Sequence, residues 1–162
     1  MKNLTLKIKM MDKNLTKIGG DILGEWYDLR CSDLISLNGQ DIGISKMFER
    51  TKIKYKKGDI LQLGLGIATE LPEGYEAVIN PRSSTFKNYG FLLTNSQGVI
   101  DCTYRGQWMA MVYCTRDGEI SYNDRFLQFR IQKQQPLINI EFVDELSQTK
   151  RGEGGYGSTG VK

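Results

Sequence analysis

The sequence predicts an all-β fold, a jelly-roll-like β-barrel or sandwich ending in a flexible C-terminal arm. Three observations predict it. Apolar residues alternate with polar ones at period two in one segment after another, the spacing that turns one face of a strand to a core. Turn signals separate these segments, at Asn38-Gly39, Lys57-Gly58-Asp59, Pro72-Glu73-Gly74 and Asp117-Gly118. No window sustains a 3.6-residue period, and Ser45 to Arg50 makes one helical turn at most. Short strands at regular intervals with frequent turns belong to sandwiches and barrels.

Taken in order, Leu4, Leu6, Ile8 and Met10 alternate with Thr5, Lys7 and Lys9. Tyr27-Asp28-Leu29 reads as a salt-bridged strand end. Lys52, Lys54, Lys56 and Lys57 surround Ile53 and Tyr55 as the solvated face of an edge strand, where lysine discourages sheet-to-sheet association. Leu61, Leu63, Leu65 and Ile67 alternate with Gln62, Gly64, Gly66 and Ala68, and Ala77 to Ile79 forms an apolar strand. Asn95 to Gly106 holds two short extended runs joined by a polar bend, which suits a β-hairpin. Trp108 to Thr115, Leu127 to Lys133 and Leu137 to Val143 complete the strands. There is no internal repeat. Residues 1–146 are expected to form one domain, with 147–162 as the arm.

The bulk properties narrow the function. The chain has 162 residues and a net charge of +3, too small to imply a nucleic-acid or membrane surface. No apolar run is long enough to span a bilayer, and no signal-peptide pattern opens the chain. Cys31, Cys102 and Cys114 are widely spaced and there is no histidine. That argues against a disulfide framework and against zinc, and favours the cytoplasm. Without histidine, Ser-His and Cys-His nucleophilic mechanisms are excluded within the chain. Proton transfer near neutral pH falls to carboxylates, Lys, Tyr or Cys.

Individually the chemical signals are modest. Pro81-Arg82-Ser83-Ser84-Thr85 follows an apolar strand, and Arg with hydroxyls at a strand end suits a phosphate or, equally, a capped turn. Asp101 would sit at the hairpin bend, where Asp is commonly structural. Free main-chain groups of a hairpin suit the edge of a pyrimidine. Asp124-Arg125-Phe126-Leu127-Gln128 would pass as another strand end. The tail from Arg151 to Gly160 is rich in glycine and has no aliphatic residue. Its hydroxyls, freed N–H groups, Arg151 and Tyr156 suit phosphate and a base, although a loose terminus has the same composition.

Their order is informative. Asp-Leu, Pro-Arg-Ser-Ser, Gly-Val-Ile-Asp-x-x-Tyr-x-Gly, Asp-Arg-x-x-Gln and a Gly-rich arm form the five-motif series of the trimeric dUTP diphosphatases (dUTPases). The chain resembles that family from Tyr27 to Gly160. The resemblance implies hydrolysis of dUTP to dUMP and pyrophosphate by in-line water attack at the α-phosphorus. Such an activity keeps uracil out of DNA and supplies dUMP for dTMP synthesis. It makes Asp101 the catalytic residue that holds the attacking water. Tyr104 would pack on the deoxyribose, leaving no room for a 2′-hydroxyl. The side chain of Asn95 and main-chain groups of Gly98, Ile100 and Met109 would read uracil. Ser83, beside Ser84, would contact the phosphates, with Arg82 in a partly structural role. Gln128 would contact phosphate and Arg125 would brace the site. Arg151, Gly157, Ser158 and Thr159 would close over the β- and γ-phosphates, with Tyr156 stacked on uracil. Asp28 would meet Mg²⁺ through water, the metal being chelated mainly by the triphosphate. The resemblance also implies a homotrimer with shared active sites.

Three departures from the family pattern stand out. Tyr156 replaces the usual Phe, Thr103 an acidic residue, and Glu25-Trp26 the small residues before motif one. The stretch around Gly39 to Lys57 reads as an insertion. Two other functions compete. A dCTP deaminase of the same fold needs a glutamate on the strand after the hairpin, yet Cys102 to Arg116 contains no acidic residue. A nucleotide-gated regulator would dock a partner protein, with Asn38 to Lys57 as its candidate surface.

Overall fold

A computed structural model describes residues 4–19, 25–42 and 52–155. Two sheets face each other across one core. The first has the order β10-β8-β13-β2, built from β2 (Tyr27–Arg30), β8 (Tyr75–Pro81), β10 (Gly98–Ile100) and β13 (Arg125–Lys133). The second has the order β4-β3-β6-β11-β9, built from β3 (Asp33–Leu37), β4 (Gln40–Asp41), β6 (Ile60–Gly64), β9 (Phe91–Leu93) and β11 (Met109–Cys114). Two further ribbons flank them: β1 (Lys7–Met10) with β7 (Ile67–Glu70), and β5 (Lys52–Tyr55) with β12 (Gly118–Ser121). All the pairings are antiparallel. This is the jelly-roll-like architecture expected from the alternation.

Period two explains the packing. In β11, Ala110, Val112 and Cys114 point inward while Met109, Met111 and Tyr113 point out. Leu61 and Leu63 of β6 and Phe126, Leu127 and Phe129 around β13 meet them in the core. Trp108 is fully buried and stands edge-on to Phe129, with ring centroids 5.1 Å apart. Truncating such a ring costs about 3–5 kcal/mol. The Asn38-Gly39 turn has both residues at positive φ (51° and 78°), the type I′ geometry that joins tightly paired strands. In β5, Ile53 and Tyr55 are buried while Lys52 and Lys54 face out. Lys52 pairs with Glu119 and Lys56 with Asp117, so two lysines of this basic run are engaged within the chain.

Several expectations change. Leu61 to Ile67 is two strands, because the chain turns at Gly66 (φ 65°). Helix α1 (Thr85–Tyr89) was not legible, since one turn cannot display a period, and Gly90 at φ 69° ends it. Leu137 to Val143 forms no strand; 134–150 runs extended and exposed, with Leu137 at 105% and Phe142 at 96% of full exposure. Its alternation has no partner strand among the described residues. The expected hairpin at 95–106 is not a ladder of two paired arms. β10 joins β8 in the first sheet, while β11 joins β6 and β9 in the second. Residues 94–108 therefore form an excursion between sheets. The one-turn expectation at Ser45 to Arg50 lies outside the described residues.

Candidate functional site

The first cluster gathers at one end of β2, β13 and β8. Register sets Asp28 opposite Gln128, Gln128 opposite Asn80, and Arg30 opposite Arg125. A register shift between Arg125 and Leu127 interrupts β13 there, and such a bulge re-aims a side chain. Both Asp28 oxygens are engaged, Oδ1 by Arg82 Nε at 2.6 Å and Oδ2 by Arg125 NH1 at 3.0 Å. Arg30 donates from NH1 to the Asn123 carbonyl at 2.8 Å. Burial lowers the Arg30 pKa, and repulsion from Arg125 and Arg82 adds to that, against the attraction of Asp28. Three guanidinium groups around one carboxylate leave net positive charge. Such a surface suits an oligophosphate.

Arg82 leads into the turn Ser83-Ser84 and then α1. Thr85 performs the bracing there: its Oγ1 accepts from the Arg82 N–H at 3.0 Å and donates to the Phe126 carbonyl. Ser83 is exposed and Ser84 makes no capping hydrogen bond, which leaves their hydroxyls available to a ligand. Gln128 Nε2 donates to the Pro81 carbonyl at 3.1 Å. Thr85 and Arg30 are the residues the sequence reading passed over. A Thr after two serines, and an Arg two places after Asp28, carry no separate signal.

The second cluster is the loop after β10. Asp101 is exposed and its carbonyl accepts from the Tyr104 N–H at 3.1 Å, so one tight turn links the two side chains. Tyr104 donates its phenol to the Gln107 carbonyl at 3.0 Å. Arg105 NH1 donates to the Cys102 carbonyl at 2.6 Å and the Tyr104 carbonyl at 3.0 Å, closing the loop on itself. Trp108 donates to the Ile67 carbonyl at 2.8 Å and accepts from the Leu65 N–H at 2.9 Å. Antiparallel bonding alternates, so the N–H and C=O of Met109 face the other way, toward the side where Thr94 N–H meets the Met111 carbonyl at 3.0 Å. The same alternation, started from the Gln134 to Gly74 bond at 3.0 Å, turns Ala77 and Ile79 toward β10. Main-chain groups of Gly98 and Ile100 then face β8, and those of Val99 face the open edge of that outer strand. Asn95 is exposed in the preceding turn.

The two clusters do not meet within the chain. Ile100 aligns with Ala77, five residues before Arg82. At ~3.3 Å per residue this places the Asp101 loop roughly 17 Å from the arginine end of β8. In the tail, Arg151 Nε donates to the Gly154 carbonyl at 2.9 Å. Tyr156, Gly157, Ser158 and Thr159 lie outside the described residues.

Mg²⁺ demands near-octahedral oxygen ligation and gives up its water reluctantly. Asp28 is the one carboxylate in ion pairs at the arginine end, and no group of three potential ligands occurs among the described residues. Such a site does not build an octahedral cage. It fits a hydrated Mg²⁺ that arrives on a phosphate chain, with Asp28 touching its water.

The dUTPase family model matches residues 46–160. The chain is 41% identical to the SPbeta prophage-derived deoxyuridine 5'-triphosphate nucleotidohydrolase YosS of Bacillus subtilis (strain 168), covering 98% of this chain and 100% of that one. It is 38% identical to the deoxyuridine 5'-triphosphate nucleotidohydrolase of Hydrogenobaculum sp. (strain Y04AAS1), over 83% of each chain. Among solved structures it is similar in fold to the Staphylococcus bacteriophage 80alpha dUTPase with dUpNHpp, with a TM-score of 0.73, 19% identity and coverage of 97% and 99%. The dUTPase of phage phi11 of S. aureus, described with a structural Mg(II) ion, aligns with a TM-score of 0.63 and 14% identity over 87% and 97%. Five motifs in order, the fold, and near full-length similarity agree: the chain belongs to the dUTPase family.

Proposed function

We propose that this protein is a dUTP diphosphatase that cleaves dUTP to dUMP and pyrophosphate. The observation that carries the reading is the Asp101–Gln107 loop, which ties a free carboxylate to Tyr104 through one turn, beside the outward main-chain groups of Met109. Asp101 accepts a hydrogen bond from water and takes its proton as the oxygen attacks the α-phosphorus. The bond from that phosphorus to the bridging oxygen breaks, and its electrons leave with pyrophosphate. Asp101 is a weak base, but phosphoryl-type transfer depends chiefly on positioning and charge stabilisation. Tyr104 excludes the 2′-hydroxyl. Asn95 and main-chain groups of Met109 read uracil; Gly98 and Ile100, expected beside them, turn their main-chain groups to β8, so Val99 at the open edge takes their place. Arg82, Ser83, Arg125 and Gln128 receive the phosphate chain, and Ser84 lies beside them. Asp28 would hold, through water, a Mg²⁺ bound by the triphosphate, and that ion would stabilise negative charge on the leaving pyrophosphate.

The working form is a homotrimer in the cytoplasm, with the arm from residue 147 onward acting as a lid. Two features support self-association. Met109, Met111 and Tyr113 with Ile60 and Leu92 make an outward apolar face on the second sheet, and Leu137 to Leu146 exposes six large apolar side chains. Exposed apolar area of this extent marks an association surface. Shared sites also bring the Asp101 loop of one subunit to the arginine end of another, which a single chain does not do. Pyrophosphate release measured with dUTP, dTTP, dCTP and UTP plus Mg²⁺ tests the reading. Turnover of dUTP alone is expected; no turnover of dUTP overturns it, and a uridine product from dCTP would favour deamination.

A further inference from the structure

We propose that Asp33 and Gln107 are positioning residues that fix the Tyr104 ring and so set the preference for deoxyribose over ribose. The proposal rests on the dUTP-hydrolysing reading and extends it to residues outside the five motifs. Gly64 on β6 aligns with Asp33 on β3 and with Met109 on β11. A Cβ at Gly64 would collide with Asp33 Oδ1 and Gln107 Nε2. The missing side chain thus opens the gap through which a carboxylate from β3 reaches across β6 to the loop before β11. Asp33 Oδ1 accepts from Gln107 Nε2 at 3.3 Å and from Ser32 Oγ at 2.8 Å. The Gln107 carbonyl in turn accepts the Tyr104 phenol at 3.0 Å.

A second glycine completes the arrangement. A Cβ at Gly106 would run into the Tyr104 hydroxyl and ring, so the ring lies directly on the glycine. Tyr104 is then held at its N–H by the Asp101 carbonyl, at its face by Gly106 and at its hydroxyl by Gln107. Gln107 is the one of these anchors with a side chain tied to the interior. Asp33 is 8% exposed and has no cationic partner among the described residues. Two neutral donors compensate a buried carboxylate poorly. Stability alone would favour an apolar contact here, so the polar tie points to control of the loop. The peptide joining Gln107 to Trp108 is pinned at its N–H by the Ile67 carbonyl, and the Asp33 tie fixes its Gln107 side; without that tie Gln107 shifts about this pin, the phenol's acceptor moves, and the space denied to a 2′-hydroxyl opens.

The test uses the full chain, with kcat/KM measured for dUTP and UTP. Gln107→Glu sets two carboxylates against each other with no donor between them. The expected result is a loss of about tenfold in the dUTP-to-UTP ratio, out of a hydroxyl rejection that reaches about 100-fold in a shaped pocket. The double variant Gln107→Glu/Asp33→Asn restores a donor and an acceptor in reversed polarity, and is expected to recover the ratio. An unchanged ratio in the single variant, or no recovery in the double, overturns the proposal. If Gln107→Glu does not fold, Tyr104→Phe removes the hydroxyl alone and must lower the ratio; if it does not, the proposal fails. Absence of dUTP turnover by the unaltered chain defeats the functional reading. An unaltered chain that discriminates, with variants that discriminate equally well, defeats only the positioning role.

Discussion

Asp28 sits between Arg82 and Arg125 with both oxygens occupied. Its first duty is to hold two guanidinium groups together against their mutual repulsion. Asp28→Asn should therefore destabilise the fold by about 1 kcal/mol, the pair being partly exposed, and weaken binding of a non-hydrolysed triphosphate analogue. Calorimetric Tm and isothermal titration check both, and an unchanged Tm would deny the bracing role. Asp101 behaves differently, since it is exposed and makes no ion pair among the described residues. Asp101→Asn should leave Tm and nucleotide binding in place while lowering kcat by about 100-fold or more. Retained turnover would remove it from the reaction. The motif residues were legible because their order along the chain is distinctive. Arg30, Thr85, Asp33 and Gln107 were not, because their roles arise from contacts that strand pairing and turns create. Register alone brings Arg30 to Arg125, and the absence of a side chain at Gly64 lets Asp33 meet Gln107.

Strands were legible wherever one face is buried and the other wet, as in β11, whose burial alternates through all six residues. Pairing was not. The same alternation is present in Leu137 to Val143, which pairs with nothing among the described residues, because period two reports a strand's faces and not its neighbour. The 95–106 segment differs for a related reason: its glycines signal bends but do not say that β10 is its one strand and that the next strand, β11, joins the opposite sheet. The β5–β9 region carries its own prediction. Burial raises the Tyr55 pKa to about 12, and Tyr89, whose carbonyl accepts the Tyr55 hydroxyl at 2.8 Å, is likewise raised to about 12. An unfolded tyrosine ionises near pH ~10. Folding therefore favours the neutral phenols; their contribution is complete below about pH 10 and is lost as pH rises toward 12. Tm should fall through that window. Tyr55→Phe should lower Tm at pH 7, through a lost hydrogen bond of about 1 kcal/mol, yet show a shallower alkaline decline. Parallel slopes for the two proteins would contradict the assignment.

At the scale of the molecule, the last strand ends at Lys133 and an exposed apolar segment follows it. The two truncations that bracket this segment should behave differently. If the proposed trimer and lid hold, a chain ending at Lys150 should be trimeric with little activity, because only the lid would be lost. A chain ending at Lys133 should sediment as a monomer, because the apolar segment is gone as well. Analytical ultracentrifugation separates the cases, and a trimer in the second would assign association to the sheet face alone.

The roughly 17 Å between the Asp101 loop and the arginine end of β8 has a genetic consequence. On the proposed trimer with shared sites, a working site would draw its water-holding half and its phosphate-holding half from different chains. Two defective alleles, one altered at Asp101 and one at Arg82, would then compensate for each other in a mixed assembly. Random mixing in equal amounts should rebuild about a quarter of the sites, although neither parent has any. On that arrangement the active site would be a property of the gene's dosage and company, and no single copy of the chain would possess it.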